Sequence, residues 1–106
     1  MYRSDLLKGQ RILITGGGTG LGFSMGARFM ELGANLVICG RREHVLLEAA
    51  EKYRARSGRA VETHVCDIRD AAAVDAMIAR IWEAGPLDAL VNNAAGNFIA
   101  RSEELS

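Results

Sequence analysis

The sequence predicts an α/β fold, a doubly wound parallel sheet of which this chain supplies the N-terminal half: four strands, three helices and the start of a fourth. Three observations predict it. Short apolar runs alternate with longer stretches in which apolar residues recur at helical spacing. In Ile12-Leu13-Ile14 and Leu36-Val37-Ile38 the apolar residues are consecutive, as strands covered on both faces require. Gly33, Gly58 and Gly85 fall just past the helical stretches, where chain reversals belong. Strands alternating with helices call for right-handed crossovers.

Residues 1–9 form a polar lead-in, and residues 10–15 form the first strand. Over 21–32, Leu21, Met25, Phe29 and Leu32 recur on one stripe of a helix, with Gly22 and Gly26 near its start allowing a close approach to the strand. Residues 35–39 make the second buried strand. Over 43–57, Leu46, Ala49, Ala50 and Tyr53 share a face while the charged residues lie mostly elsewhere, the pattern of a surface helix. Residues 60–65 alternate Val61, Thr63 and Val65 with Glu62 and His64, the period of a less deeply covered strand. His64 is thus expected to be solvated, and His44 to lie on its helix surface. Residues 71–84 place Val74, Met77, Ile78 and Ile81 on one stripe ahead of Gly85-Pro86, and residues 87–91 give the fourth strand. Ser102-Glu103-Glu104-Leu105 opens a further helix, with serine as its cap and acids in its first turn. Three helices cannot cover both faces of four strands, and the fourth strand would expose an edge, so the chain alone is expected to be marginally stable or to be completed by further residues.

A length of 106 residues allows one domain. Apolar residues make up 49% and charged residues 25%, which excludes a disordered or fibrous chain. Thirteen basic residues balance thirteen acidic ones and aromatics are few, so neither nucleic acid nor a membrane is an expected partner; any anion site must be local. The first ten residues carry Arg3, Asp5 and Lys8 without a long apolar core, unlike a secretory signal or an anchor, and a cytoplasmic location is expected. Cys39 and Cys66 end two predicted strands and are expected to be reduced and buried. Two ligands do not make a metal site.

The apolar run breaks into Thr15-Gly16-Gly17-Gly18-Thr19-Gly20-Leu21-Gly22, a strand feeding a glycine turn that opens a helix. Such a turn brings its amides close to an anion, and the helix adds unpaired N–H groups and its positive dipole end. In the dinucleotide fingerprint of Rossmann-type folds, a ribose-reading position follows about 20 residues later at the second strand end. That end reads Gly40-Arg41-Arg42 here. No acid is present to accept the ribose hydroxyls, whereas Arg41 can pair bidentately with a 2′-phosphate and Arg42 can add charge beside it. The alternative is two solvated arginines opening a helix, a poor place for cations. NADP(H) is the expected cofactor, and residues 1–106 are expected to form a single, incomplete NADP-binding domain.

Thr15-Gly16-x-x-x-Gly20-x-Gly22, Asp67 beyond the third strand and Asn92-Asn93-Ala94 at the fourth, in this order, resemble the motifs of the short-chain dehydrogenase/reductase family. The resemblance spans nearly the whole chain but only the N-terminal half of the family's usual domain. It implies cofactor contacts from Gly16, Gly17, Gly18, Thr19, Gly20, Leu21, Gly22, Arg41, Arg42, Asp67, Ile68, Asn93 and Ala94, with Asp67 on the adenine side.

Asn93-Ala94-Ala95-Gly96-Asn97-Phe98 departs from the family's common Asn-Asn-Ala-Gly. With Cys66-Asp67-Ile68-Arg69-Asp70, it is similar to the 2,4-dienoyl-CoA reductase branch. That likeness implies NADPH-dependent reduction of an unsaturated acyl-CoA, with Asn97 as the substrate-orienting catalytic residue near the thioester and Phe98 lining the acyl pocket. Arg69, together with Arg41, would reach the CoA moiety. A fixed amide donor suits the negative charge that spreads to the thioester oxygen once hydride has reached the far end of the diene. Read from the residues alone, Asn97 equally suits a turn after the fourth strand, and Arg69 can pair with Asp67 or Asp70.

The family's Tyr-x-x-x-Lys pair is not in this stretch: four residues after Tyr2 and Tyr53 stand Leu6 and Ser57. It is expected beyond residue 106, and the chain alone is expected to be inactive. A 3-oxoacyl or alcohol/carbonyl reductase of the same family and a non-catalytic nucleotide-binding module are the alternatives. The complete protein is expected to be a homo-oligomer.

Overall fold

The computed structural model describes residues 5–93 and the backbone of residues 98–101. The elements are β1 (Arg11–Thr15), α1 (Gly20–Glu31), β2 (Asn35–Gly40), α2 (Glu43–Ser57), β3 (Glu62–Val65), α3 (Ala71–Glu83), β4 (Ala89–Asn92) and β5 (Phe98–Arg101). They form one sheet in the order β3-β2-β1-β4-β5. The four predicted strands run parallel. The chain steps outward from β1 to β3, then returns past β1 to form β4. This reversal opens a crevice at the carboxyl ends of β1 and β4, where doubly wound sheets bind their ligands.

The edge of β4 is not open, contrary to the expectation. Phe98–Arg101 pairs with it antiparallel, Asn92 opposite Phe98 and Ala89 opposite Arg101. Four residues are too few to show a strand period, whereas the free backbone groups of β4 provide a template for pairing. The helix start expected at residues 102–105 lies outside the described residues.

Alternation along the strands divides the core in two. Ile12, Ile14, Leu36, Ile38 and Val91 face α1 and α2. Leu13, Val37, Cys39, Cys66 and Leu87 cluster with Met77 and Ile81 of α3. Among the described residues α3 is the one helix on that side, and its Val74 and Ile78 are half-buried. On α1 the buried residues are Gly22, Gly26, Ala27 and Met30, while Leu21 is 54% exposed. The helix is therefore rotated from the predicted stripe of Leu21, Met25, Phe29 and Leu32, because its small residues allow the backbone to approach the sheet and large ones would hold it away.

His64 also differs from the solvated residue expected. Its side chain is only 16% exposed, and Nε2 lies 2.6 Å from Glu62 Oε2. Arg11 reaches across β2 to Glu62, with Nη2 donating to Oε1 at 2.6 Å. Arg11 Nη1 donates to the carbonyls of Ile81, in the last turn of α3, and Gly85, just beyond it, so the cation sits at the negative end of the helix dipole. Its backbone N–H donates to Asp88 Oδ2 at 2.7 Å. Burial opposes ionisation of Glu62, but the hydrogen bonds from His64 and Arg11 outweigh it and leave the carboxyl below its ordinary value.

Candidate nucleotide site

The glycine turn joins β1 to α1, and three strands fix it. Gly16 has φ +68°, a conformation that strains other residues, and its N–H donates to the carbonyl of Cys39 on β2 at 3.0 Å. Asn93, just past β4, approaches the Gly16 carbonyl with Nδ2 at 3.5 Å. Buried Thr15 donates to Asn92 Oδ1 at 3.0 Å, which ties β1 to β4 beside the turn. A Cβ on Gly22 would strike the Gly16 carbonyl oxygen, so glycine lets the first turn of α1 rest on the loop that feeds it.

From the other side comes a residue that sequence reasoning did not assign to the site. Tyr53 of α2 is 1% exposed, and its hydroxyl donates to the Gly17 carbonyl at 2.7 Å. The sequence places Tyr53 on the apolar face of α2, and the only further signal is that a buried phenol needs a hydrogen-bond partner.

The start of α1 is equipped for an anion. Thr19, its N-cap, makes no side-chain capping bond, and no acid occupies the first turn. Among the described residues, neither the N-cap side chain nor an acid in the first turn thus covers or neutralises the positive end of the helix. Two clefts flank the turn and share Gly16, Cys39, Gly40 and Arg41. One, of about 250 Å³, is lined also by Gly18, Thr19, Arg42 and Val45, and no carboxylate among the described residues lines it. Arg41 and Arg42 are exposed and form no ion pair among the described residues. The other, of about 360 Å³, adds Cys66, Asp67, Ile68 and Arg69.

At the rim of that cleft Arg69 folds back onto Asp67. Nε donates to Oδ1 at 3.1 Å, Nη2 to Oδ2 at 3.0 Å, and the Arg69 backbone N–H to Oδ1 at 3.0 Å. These bonds, with the charges of Arg69 and Arg41, hold the Asp67 carboxyl down at about 2. Of the two acids open to Arg69, the structure selects Asp67, whereas Asp70 caps α3 by accepting the Ala73 N–H at 3.1 Å. Cys39 and Cys66 are buried free thiols. Burial, then the neighbouring Cys66, pushes Cys39 up to about 12, and burial, then Asp67 and Asp70, raises Cys66.

The carboxyl ends of the parallel strands thus bring Gly16, Gly17, Gly18, Thr19, Arg41, Arg42, Asp67, Ile68, Arg69 and Asn93 around one crevice, with Gly20, Leu21 and Gly22 opening α1 beside it. Ala94 and Asn97 lie outside the described residues, and Phe98 is described only as the backbone at the start of β5. Among the described residues no cluster of three or more His, Cys, Asp or Glu is placed to hold a metal ion, and no helix is long and apolar enough to cross a membrane.

This strand order and glycine turn define an α/β domain of the Rossmann type. The sequence profile of the short chain dehydrogenase family matches residues 10–106, and the chain belongs to that family of oxidoreductases, which uses nicotinamide cofactors. It is 42% identical over 107 aligned residues to the peroxisomal 2,4-dienoyl-CoA reductase of Arabidopsis thaliana, covering 99% of this chain and 35% of that protein. The chain spans about a third of the length of the curated relatives it matches. Among solved structures, a citronellol catabolism dehydrogenase of Pseudomonas aeruginosa PAO1 matches with TM-score 0.80 and 38% identity, over 87% of this chain and 38% of that one. A short chain dehydrogenase of Shigella flexneri 2a, complexed with NADP, matches with TM-score 0.80 and 26% identity, over 86% of this chain and 39% of that one.

Proposed function

We propose that the protein reduces an unsaturated acyl-CoA thioester, such as a 2,4-dienoyl-CoA, with NADPH, and that residues 1–106 form part of its NADP-binding domain. The observation that carries the cofactor choice is the pair of exposed arginines, Arg41 and Arg42, at the end of β2, beside a cleft lined by the glycine turn and by no carboxylate among the described residues. A 2′-phosphate there meets cations, and no acid among the described residues of the cleft wall repels it. The start of α1, free of acids and of a side-chain cap, fits the diphosphate. Asp67 serves the adenine side. The substrate class rests on the likeness to the Arabidopsis reductase and on the residues around Asn97.

NADPH, when bound, supplies the hydride. The chain's own residues bind and orient: the amides of the turn hold the diphosphate, Arg69 and Arg41 meet the CoA moiety, and Phe98 lines the acyl pocket. Asn97 donates to the thioester oxygen as negative charge reaches it.

Titration of the whole protein with NADPH and NADH tests the cofactor reading. NADPH is expected to bind more tightly by about two orders of magnitude, and Arg41→Glu to remove most of that preference. Equal affinity for the two overturns it. For the substrate, Asn97→Ala is expected to lower kcat on 2,4-dienoyl-CoA by roughly a hundredfold, the effect of losing one donor to a developing oxyanion. Faster reduction of 3-oxoacyl thioesters than of dienoyl thioesters by the native protein would defeat the assignment.

A further inference from the structure

We propose that Tyr53 is a positioning residue of the cofactor site: its hydroxyl holds the Gly17 carbonyl inward and so aims the Gly18 N–H outward at the bound diphosphate. The proposal rests on reading the turn as an NADP(H) cradle, and it adds to that reading a residue on a different helix.

The geometry is specific. The Tyr53 hydroxyl has one proton and lies among three carbonyl oxygens, donating to Gly17 at 2.7 Å with those of Phe23 at 3.3 Å and Gly22 at 3.4 Å. In a planar trans peptide the C=O and the following N–H point in opposite directions. Drawing the Gly17 carbonyl towards α2 therefore turns the Gly18 N–H the other way, and Gly18 lines the cleft between the turn and the two arginines. No hydrogen bond engages that N–H among the described residues.

Two further contacts hold the phenol in place. Its ring stacks on Phe23 of α1, centroids 4.4 Å apart and planes 26° from parallel. Gly26 of α1 leaves the space that the hydroxyl occupies: a Cβ there would strike the oxygen and come within 2.9 Å of Cζ. Burial also raises the phenol above its ordinary value, so it remains a donor at any working pH. Phenylalanine would leave the Gly17 carbonyl without its donor, and the Gly17–Gly18 peptide could turn.

The test compares two ligands on the whole protein, NADPH and adenosine 2′-monophosphate, by calorimetric titration. The second carries the adenosine and the 2′-phosphate but no diphosphate. Tyr53→Phe is expected to weaken NADPH by about three- to tenfold, the loss of one hydrogen bond, and to leave adenosine 2′-monophosphate within about twofold. Gly26→Ala, which drives the hydroxyl off Gly17 while keeping the tyrosine, is expected to give the same split, and it decides the matter should Tyr53→Phe fail to fold. Unchanged NADPH affinity, or equal weakening of both ligands, overturns the proposal. A native protein that binds no NADPH removes the cradle reading and this one with it. That result is distinct from native binding which the variants leave intact.

Discussion

Gly22→Ala puts one methyl group where the turn and α1 meet. The new Cβ would strike the Gly16 carbonyl oxygen, lie 2.9 Å from the Gly16 carbonyl carbon and come 3.0 Å from Asn93 Nδ2. The first two obstacles are backbone, so no side-chain rotation relieves them. Overpacking of this kind costs about 1–3 kcal/mol, and a backbone obstacle belongs at the upper end. Alanine's helix preference over glycine returns about 1 kcal/mol, which leaves a net loss of about 2 kcal/mol. Relief requires Gly16 to move away from α1, which disturbs both its bond to Cys39 and its approach to Asn93. Urea unfolding should show a lower midpoint at unchanged slope, and NADPH binding should weaken by at least about tenfold. Gly58→Ala is the control: Gly58 has φ +75°, nothing lies within 4 Å of its would-be Cβ, and it ends α2 away from the turn. It should cost about 1 kcal/mol through backbone strain alone and leave NADPH affinity intact. Should Gly22→Ala cost no more than Gly58→Ala and bind NADPH normally, the packing of α1 on the turn is refuted.

The remaining predictions concern the opposite end of the sheet and the thiols. Arg11→Met leaves Glu62 to His64 and takes a donor from the carbonyls of Ile81 and Gly85; because the pair is only partly buried, at 15% and 36% exposed, the expected loss is about 2 kcal/mol by urea unfolding, below that of a fully buried pair. Glu62 has its folded value lowered beneath the ordinary 4.5, so its contribution is complete above that pH and is lost as pH falls through the lowered value. The stability gap between the native protein and Glu62→Gln, measured by urea midpoints, should accordingly be full at neutral pH and shrink below pH 4.5. Cys39, pushed up to about 12 by burial, should resist a thiol reagent at pH 8 until urea unfolds the protein, so labelling should follow the unfolding curve.

The parallel strands and three helices were legible because each carries its own periodicity or apolar run. Gly33 and Gly58 were legible as helix ends, and both have positive φ, at +101° and +75°. The orientation of α1 was not legible. A search for large apolar residues selects Leu21, which is 54% exposed, since it cannot see that Gly22 and Gly26 let the helix backbone itself form the contact. The β5 pairing depends on a free edge and not on a residue pattern. The glycine turn, Arg41, Arg42 and Asp67 were legible as site residues because their spacing follows the strand ends. Tyr53 and the Arg11–Glu62–His64 cluster were not: each joins residues far apart in sequence, and an alternating strand pattern cannot distinguish a polar residue facing water from one facing an arginine two strands away.

Arg69 and Asp67 show how the remaining ambiguity resolves into chemistry. The sequence leaves Arg69 between two acids, and the structure gives it to Asp67 through both side-chain and backbone donors. Asp70 is already committed to α3, so the choice follows from helix capping as much as from charge. Arg69 is 72% exposed in this pair, and an ion pair so open to solvent is weakly held and screened by salt. The fold therefore does not depend on it. Arg69→Ala is expected to leave the urea midpoint unchanged, in contrast to Arg11→Met, although both remove an arginine paired with a carboxylate. A marked loss of stability in Arg69→Ala would mean that the Asp67 loop is held by this bond, and the arginine would then not be free to turn towards a substrate.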